Sequence, residues 1–248
     1  MHKIALRGRV AIAITLLAAV AALAGWGSAG PNDDGVAETL EGKYVSVVND
    51  VSPSVVLIQT PQELGSGVVL DTHGNIVTNA HVVAGATKLS VTLFDGRRVA
   101  ATVVGTDPSD DLAVIHVTGA TPPPATFSDS SKLSVGDIAL AIGNPLGLHA
   151  SVTEGIVSSL DRSVSEENGV TLTSAIQTSA AINPGNSGGA LVDLSGHVIG
   201  IPTLAALDPQ LGNTQASGIG FAISSNRIKT VAARILAAAA QVKPALAQ

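Results

Sequence analysis

Residues 184–201 read PGNSGGALVDLSGHVIGI, and this stretch decides the fold class. A serine between glycines, here Ser187, can sit on a tight turn with its hydroxyl exposed, while the surrounding backbone N–H groups converge on one point. A similar turn occurs in α/β hydrolases, but there a helix must follow the serine. Residues 190–201 instead indicate a strand, a turn and a second strand, so the stretch favours an all-β protein. Taken alone, it is equally compatible with a plain Gly-rich loop.

Short Val/Ile-rich runs bounded by turn residues predict two series of strands on either side of three successive prolines, residues 122–124. The first series is 55–59, 66–70, 75–79, 89–94, 98–105 and 112–117, and the second is 137–142, 152–159, 170–176, 190–193, 197–202 and 218–223. A single helix is predicted in the folded part, over residues 226–240, with an apolar stripe that we expect to dock on the strands. The sequence therefore predicts two packed six-stranded antiparallel barrels with a C-terminal helix.

The expected segments follow from these patterns and from the N-terminus. They are a signal peptide or N-terminal anchor (1–29), a flexible spacer (30–42), an N-terminal barrel (43–120), a linker (121–131), a C-terminal barrel (132–225) and a C-terminal helix and tail (226–248).

The composition excludes several classes of function. Hydrophobic residues make up 46% of the chain and aromatic residues only 2%, so the core must be built from Val, Ile, Leu and Ala. The formal net charge of -6 offers no basic field for phosphates, so nucleic acid is not an expected partner. The chain has no cysteine, which excludes a thiol nucleophile, a zinc-thiolate site and a disulfide framework. No cofactor is expected.

The N-terminus has the layout of a secretory signal peptide. Three basic residues precede an apolar run, residues 10–24, and small residues follow it, with cleavage expected after Ala29. The competing interpretation is an uncleaved membrane anchor formed by residues 10–26, because that run approaches the length of a short membrane span. Either interpretation predicts an exported protein that is periplasmic, attached to the cell envelope or extracellular.

A serine nucleophile needs a base within hydrogen-bond reach, and that base needs an orienting group. His81 follows a predicted strand and enters a short turn, where an imidazole can face a cleft. His73, His116 and His197 fit turn or strand positions without a catalytic role, and His149 in a loop is less certain. We therefore assign His81 as the general base.

Asp111 directly precedes an apolar strand, so its carboxylate can be held at the mouth of a barrel, whereas we expect Asp110 to face solvent. The order His81, Asp111, Ser187 is the chymotrypsin order. We predict a site in the crevice between the two halves, with Ser187 as nucleophile and Asp111 as the orienting carboxylate. The N–H groups of Gly185 and Ser187 would form the oxyanion hole.

The chain resembles the HtrA/Deg family of serine proteases through motifs that follow the family's order over most of residues 43–235. These motifs are GSGVV (65–69), VTNAHVV (77–83), DLAV (111–114), AIGNPLG (141–147), QTSAAINPGNSGG (177–189) and GIGFAI (218–223). The resemblance implies two six-stranded barrels, ATP-independent proteolysis of unfolded or damaged proteins, and a triad of His81, Asp111 and Ser187. It also implies a homotrimer as one expected state, because family members commonly form trimers.

Three departures from the family bear on these expectations. Ser179 stands where the family usually has Asp, and Pro202 with residues 204–206 replaces a segment that usually reads Asn-Thr-Ala-Ile. The chain ends at Gln248 without room for the PDZ domain that members often carry, so we expect a stand-alone protease domain. The expected substrate pocket contains no acidic residue, which favours cleavage after a small or medium apolar residue. Its predicted lining is Ile182, Thr203, Leu204 and Ala205.

The alternative function is a proteolytically silent binding module or holdase that grips extended polypeptide. Its fold would be the same, but a pure binder has no need of all three triad groups.

Chelators test the expectation that no metal takes part. Because no cluster of residues has metal-ligand spacing, we expect EDTA to leave the hydrolysis of an unfolded protein unchanged. A strong loss of activity that zinc or calcium restores would contradict this prediction.

Overall fold

The computed structural model describes residues 34–119, 122–144, 151–165, 171–183, 185–208 and 214–245. The predicted signal peptide and its alternative, the anchor, lie outside these residues. Within them, no helix has both the length and the apolar character needed to cross a membrane.

The first barrel consists of six antiparallel strands that close in the order β1-β2-β3-β6-β5-β4. Its interior is filled by fully buried aliphatic side chains, among them Ile58, Ile76, Val91 and Ile115. Small branched side chains suit this narrow interior, as the composition predicted. The strands are β1 (Val55–Gln59), β2 (Leu64–Val69), β3 (Asn75–Thr78), β4 (Leu89–Thr92), β5 (Arg98–Asp107) and β6 (Leu112–Val117).

The second barrel repeats this architecture and closes in the order β10-β11-β12-β9-β8-β7. Its interior includes Ile176, Leu191 and Ile199, all buried. The predicted fold class is therefore confirmed. The strands are β7 (Ile138–Gly143), β8 (Ser151–Ser165), β9 (Thr171–Thr178), β10 (Ala190–Val192), β11 (Val198–Asp208) and β12 (Thr214–Ser224).

A third group of buried side chains lies between the barrels. It joins Val68 and Leu112 of the first barrel to Ile142 and Val192 of the second. The C-terminal helix α3 (Ser225–Ala245) adds Ile228, Val231 and Ile235 to the same cluster, so its apolar stripe docks as predicted. This shared core fixes the two barrels against each other.

The prediction of a single helix is wrong, because the described part of the chain contains two more helices before α3. Helix α1 (Asp34–Val51) occupies part of the predicted spacer, and α2 (Ala80–Val83) is one turn. Gly42 and several β-branched valines lower the helix propensity of α1. For this reason the sequence pattern did not predict a helix here. Val47 and Val51 join the core between the barrels, so tertiary contacts outweigh that low propensity.

Acid should weaken the attachment of the first turn of α3. The Asp129 carboxylate accepts hydrogen bonds from Asn226 Nδ2 at 2.7 Å and from the Ser131 backbone N–H at 3.1 Å. The bond from Asn226, followed by those from Ser131, lowers the pKa of Asp129 to about 2. A carboxyl whose pKa is lower in the folded state stabilises the protein above its unfolded pKa of about 3.9, and this contribution is lost as the pH falls towards the folded pKa.

We therefore expect Asp129→Asn to lose less stability than the wild type between about pH 4 and pH 2. Urea unfolding curves at a series of pH values measure this difference. Asn226→Ala removes the principal donor and should reduce the pH dependence in the same direction. If Asp129→Asn and the wild type lost stability in parallel, the hydrogen bonds of Asp129 would not be the cause.

Candidate active site

The main chain of Asp111 is fixed by groups at the start of helix α2. Asp111 follows a short 3-10 helix, Pro108–Asp110, and has φ 47° and ψ 42°, a left-handed conformation in which Asp is enriched. Its carbonyl accepts hydrogen bonds from the Ala80 N–H at 3.1 Å and from Asn79 Nδ2 at 3.0 Å. The start of α2 and the start of β6 are therefore held together.

The carboxylate of Asp111 is buried against His81. Its Oδ1 accepts a hydrogen bond from the His81 backbone N–H at 3.1 Å, and His81 Nδ1 lies 3.0 Å from Oδ1 and 2.9 Å from Oδ2. The Asp111 side chain is 3% exposed, whereas that of His81 is 41% exposed. Because an ionised carboxylate only accepts hydrogen bonds, the pairing places the imidazole proton on Nδ1. Asp111 thus orients a ring that reaches the surface.

Thr203 connects this pair to the serine. Its hydroxyl donates to Asp111 Oδ2 at 2.6 Å, and its carbonyl accepts from the Ser187 hydroxyl at 3.1 Å. The three residues chosen from the sequence are thereby brought into one site at the junction of the two barrels. Sequence reasoning placed Thr203 only in the substrate pocket and missed its bond to Asp111, since the two residues lie 92 positions apart.

The turn that carries Ser187 packs tightly against β2. Gly188 has φ 81°, and a Cβ at this position would lie 2.2 Å from the Ser66 carbonyl oxygen. The Ser66 N–H donates to the Ser187 carbonyl at 2.9 Å, and the Ser66 hydroxyl donates to the Gly185 carbonyl at 2.6 Å. Only glycine fits at position 188, which explains the Gly-rich sequence after the serine.

The turn also carries the two backbone N–H groups that the sequence predicts as the oxyanion hole, those of Gly185 and Ser187. Among the described residues, no backbone hydrogen bond is donated by the N–H of Gly185 or of Ser187. The N–H between them, that of Asn186, donates to the Asn183 carbonyl at 3.0 Å. Gly185 has φ 101°, a backbone conformation that favours glycine.

The expectation that Asp110 faces solvent is wrong. The residue is only 5% exposed, and its two carboxylate oxygens accept hydrogen bonds from the guanidinium group of Arg227 on α3. The residues next to Asp110 do not indicate this pair, because Asp110 and Arg227 are 117 positions apart.

The Ser179 hydroxyl accepts a hydrogen bond from the Ile156 N–H at 3.0 Å, so serine makes a defined contact at this departure from the family. Ile182 is buried, and a Cβ at Gly220 would lie 2.4 Å from its Cγ1. The side chains of Leu204 and Ala205 lie outside the described residues, as does His149.

Across the described ranges, no group of three or more His, Asp and Glu residues is arranged to hold a metal ion. His116, one of the histidines set aside from the sequence, contacts Asn75 Oδ1 through Nδ1 at 3.2 Å.

Comparison with known proteins gives consistent matches. Residues 65–201 match the trypsin-like peptidase domain family. The serine protease Do-like HtrA of Lactococcus lactis is 47% identical over 176 residues, which are 67% of this chain and 43% of that protein. The periplasmic serine endoprotease DegP of Escherichia coli is 50% identical over 176 residues, 70% of this chain and 36% of DegP. The chain thus spans less than half the length of these relatives.

A solved structure agrees with the sequence matches. The HtrA-type protease AlgW, in a structure with a tripeptide, superposes with a TM-score of 0.70 at 41% identity, covering 78% of this chain and 63% of AlgW. The double barrel, the site at its junction and these matches lead to one conclusion: the chain belongs to the trypsin-like peptidase family, as a homologue of its HtrA/DegP proteases.

Proposed function

We propose that the chain is a serine endopeptidase that cleaves unfolded or damaged proteins outside the cytoplasm by a Ser-His-Asp acyl-enzyme mechanism. One observation carries the proposal. The buried Asp111 carboxylate holds Nδ1 of a partly exposed His81, within one hydrogen-bonded group that also includes Ser187. A general base whose orientation is fixed in this way is what a serine nucleophile requires.

In the proposed mechanism, His81 Nε2 takes the proton of Ser187 as the hydroxyl attacks the scissile carbonyl. The hydroxyl first turns from the Thr203 carbonyl, which it contacts in this structure, towards the imidazole. Asp111 holds the ring with its proton on Nδ1 and stabilises the imidazolium that forms. His81 then gives the proton to the leaving amine, and water hydrolyses the acyl-enzyme by the same steps.

The negative charge on the substrate oxygen would be stabilised by the N–H groups of Gly185 and Ser187. Support comes from the turn itself, where these two donors make no backbone hydrogen bond among the described residues. The Ser66 hydroxyl also holds the turn by donating to the Gly185 carbonyl, so the donors need little reorganisation when charge develops.

The substrate class and location rest on the relatives. Several are described as periplasmic, including DegP of Escherichia coli and a probable periplasmic protease of Haemophilus influenzae. AlgW was solved with a tripeptide. Together with the signal-like N-terminus, these descriptions support export and polypeptide substrates. The homotrimer implied by the family resemblance is part of the same proposal.

Removal of the nucleophile is the first test. Ser187→Ala should abolish casein cleavage and labelling by a fluorophosphonate probe, because triad members act as a unit that accelerates the reaction by about 10⁴ to 10⁶. The variant loses only one hydroxyl, so its thermal unfolding should be nearly unchanged. Asp111→Asn should lose about 10⁴ in kcat, because the amide favours the wrong imidazole tautomer. Cleavage by Ser187→Ala would refute the assignment. A wild-type protein that binds unfolded casein but neither cleaves it nor reacts with the probe would support the holdase instead.

Cleavage specificity is the second test. Because none of Ile182, Thr203, Leu204 and Ala205 is acidic, we expect most cuts after Val, Ala or Leu. Mass spectrometry of the products of an unfolded protein maps the cut sites, and a majority after Lys or Arg would contradict the predicted pocket. Ile182→Ala should shift the preference towards larger apolar residues if this side chain limits the pocket.

A further inference from the structure

Helix α3 contacts the turn that precedes Asp111, although the helix continues from the second barrel and the turn belongs to the first. Its buried residues pack against β5 and β6, the two strands that the turn connects. On β5, a Cβ at Gly105 would lie only 2.8 Å from Ile235 Cγ2. The first barrel therefore provides part of the surface on which this helix docks.

Arg227 holds Asp110 by two parallel hydrogen bonds. Its Nε lies 2.7 Å from Asp110 Oδ1, and its Nη2 lies 2.8 Å from Oδ2. Two hydrogen bonds between a planar guanidinium and a planar carboxylate fix the orientation of the Asp110 side chain as well as its distance from Arg227. The hydrogen bonds with Asp110 raise the pKa of the Arg227 guanidinium above its ordinary value. Since Asp110 is buried, loss of Arg227 would leave a carboxylate without its principal counter-charge.

A second arginine of α3 holds the other end of the turn. Arg234 pairs with Asp107, and its Nη2 also lies 3.6 Å from Asp110 Oδ2. Asp107 in turn caps the 3-10 helix by accepting a hydrogen bond from the Ser109 N–H at 3.2 Å. Carboxylates at both ends of the turn are therefore tied to one helix.

The direction of the Asp111 side chain depends on this turn. Asp111 adopts its left-handed conformation immediately after Asp110, and its N–H donates to the Pro108 carbonyl at 3.3 Å. A non-glycine residue stays in that conformation only where its surroundings hold it. A change in the turn would move the carboxylate away from His81 Nδ1, and a misplacement of 1 Å near reacting groups can cost about 10²-fold in rate.

We propose that Arg227 is a positioning residue for catalysis. By gripping Asp110, it fixes the turn that aims the Asp111 carboxylate at His81, so that docking of α3 is a condition for activity. Arg227 acts through Asp111 and contacts neither the substrate nor the reacting atoms. The inference rests on the proposed protease function.

Arg227→Met tests the proposal, because it keeps the aliphatic stem and removes the guanidinium fork. We expect kcat to fall by about 10- to 100-fold with little change in KM, since alignment is lost while substrate binding remains. Lys229→Met is the matched control. It removes one positive charge from the same helix, but Lys229 Nζ donates to the Ser128 carbonyl at 2.9 Å, away from the turn. This control should keep the wild-type kcat.

Two further measurements separate positioning from general stability. The low-field proton resonance of His81 Nδ1–H reports the bond to Asp111 directly, and it should shift or broaden in Arg227→Met but not in Lys229→Met. In addition, millimolar guanidinium should restore part of the activity of Arg227→Ala, whereas sodium chloride at the same ionic strength should not.

An Arg227→Met protein with wild-type kcat and an unchanged His81 resonance would overturn the proposal, even if its melting temperature fell. If this variant does not fold, Arg227→Lys and Asp110→Asn provide the test, and wild-type kcat in both would overturn it equally. Failure of the protease function itself is distinguishable, since the wild type would then match Ser187→Ala. The resonance needs no turnover and would still show whether Arg227 controls the His81–Asp111 bond.

Discussion

The arrangement of the site depends on the hydrogen bonds of one buried serine, Ser66, in strand β2. Its N–H and hydroxyl donate to the carbonyls of Ser187 and Gly185, and its hydroxyl also accepts from the Asn144 N–H at 2.8 Å. The proposed base, His81, and its carboxylate belong to the first barrel, and the proposed nucleophile, Ser187, belongs to the second. A site divided in this way needs a rigid connection near the reacting groups, and these bonds provide one because Ser66 is fully buried.

Apolar contacts give the same junction its strength. Val68 of β2 follows Ser66 by two residues and packs in the cluster that also contains Ile142 of β7, which precedes Asn144 by two. Residues two apart in a strand lie on the same face, so the hydrogen bonds of Ser66 and the apolar contacts of Val68 lie next to each other. Side chains of this kind contribute about 1.5–3 kcal/mol each when fully buried, so the shared core resists the relative motion of the barrels. Helix α3 extends this core and adds charged contacts at the Asp107–Asp110 turn.

The barrels and the residues of the site were predictable to different degrees. Strand β6 was predicted with its observed bounds, since its apolar run lies between clear turn residues. The groups His81, Asp111 and Ser187 could be chosen because each lies in a short motif in a characteristic order. Asp110 was assigned from its neighbours in sequence and Thr203 from the family resemblance, and neither source carries information about Arg227 or about the bond to Asp111. Helix α1 was missed because its formation depends on tertiary burial of valines that favour strands locally.

Closure of both barrels has a consequence for a protein whose proposed substrates are unfolded chains. An open sheet offers unpaired N–H and C=O groups along its outer strands, and extended polypeptides add to such strands and aggregate. In the described residues each barrel strand pairs with a neighbour on both sides. Unpaired backbone groups are therefore confined to parts of single strands, such as residues 201–208 of β11, which among the described residues pair only with β12. The architecture thus limits co-aggregation with the unfolded chains proposed as substrates and favours their engagement at the junction of the barrels, where the proposed site lies.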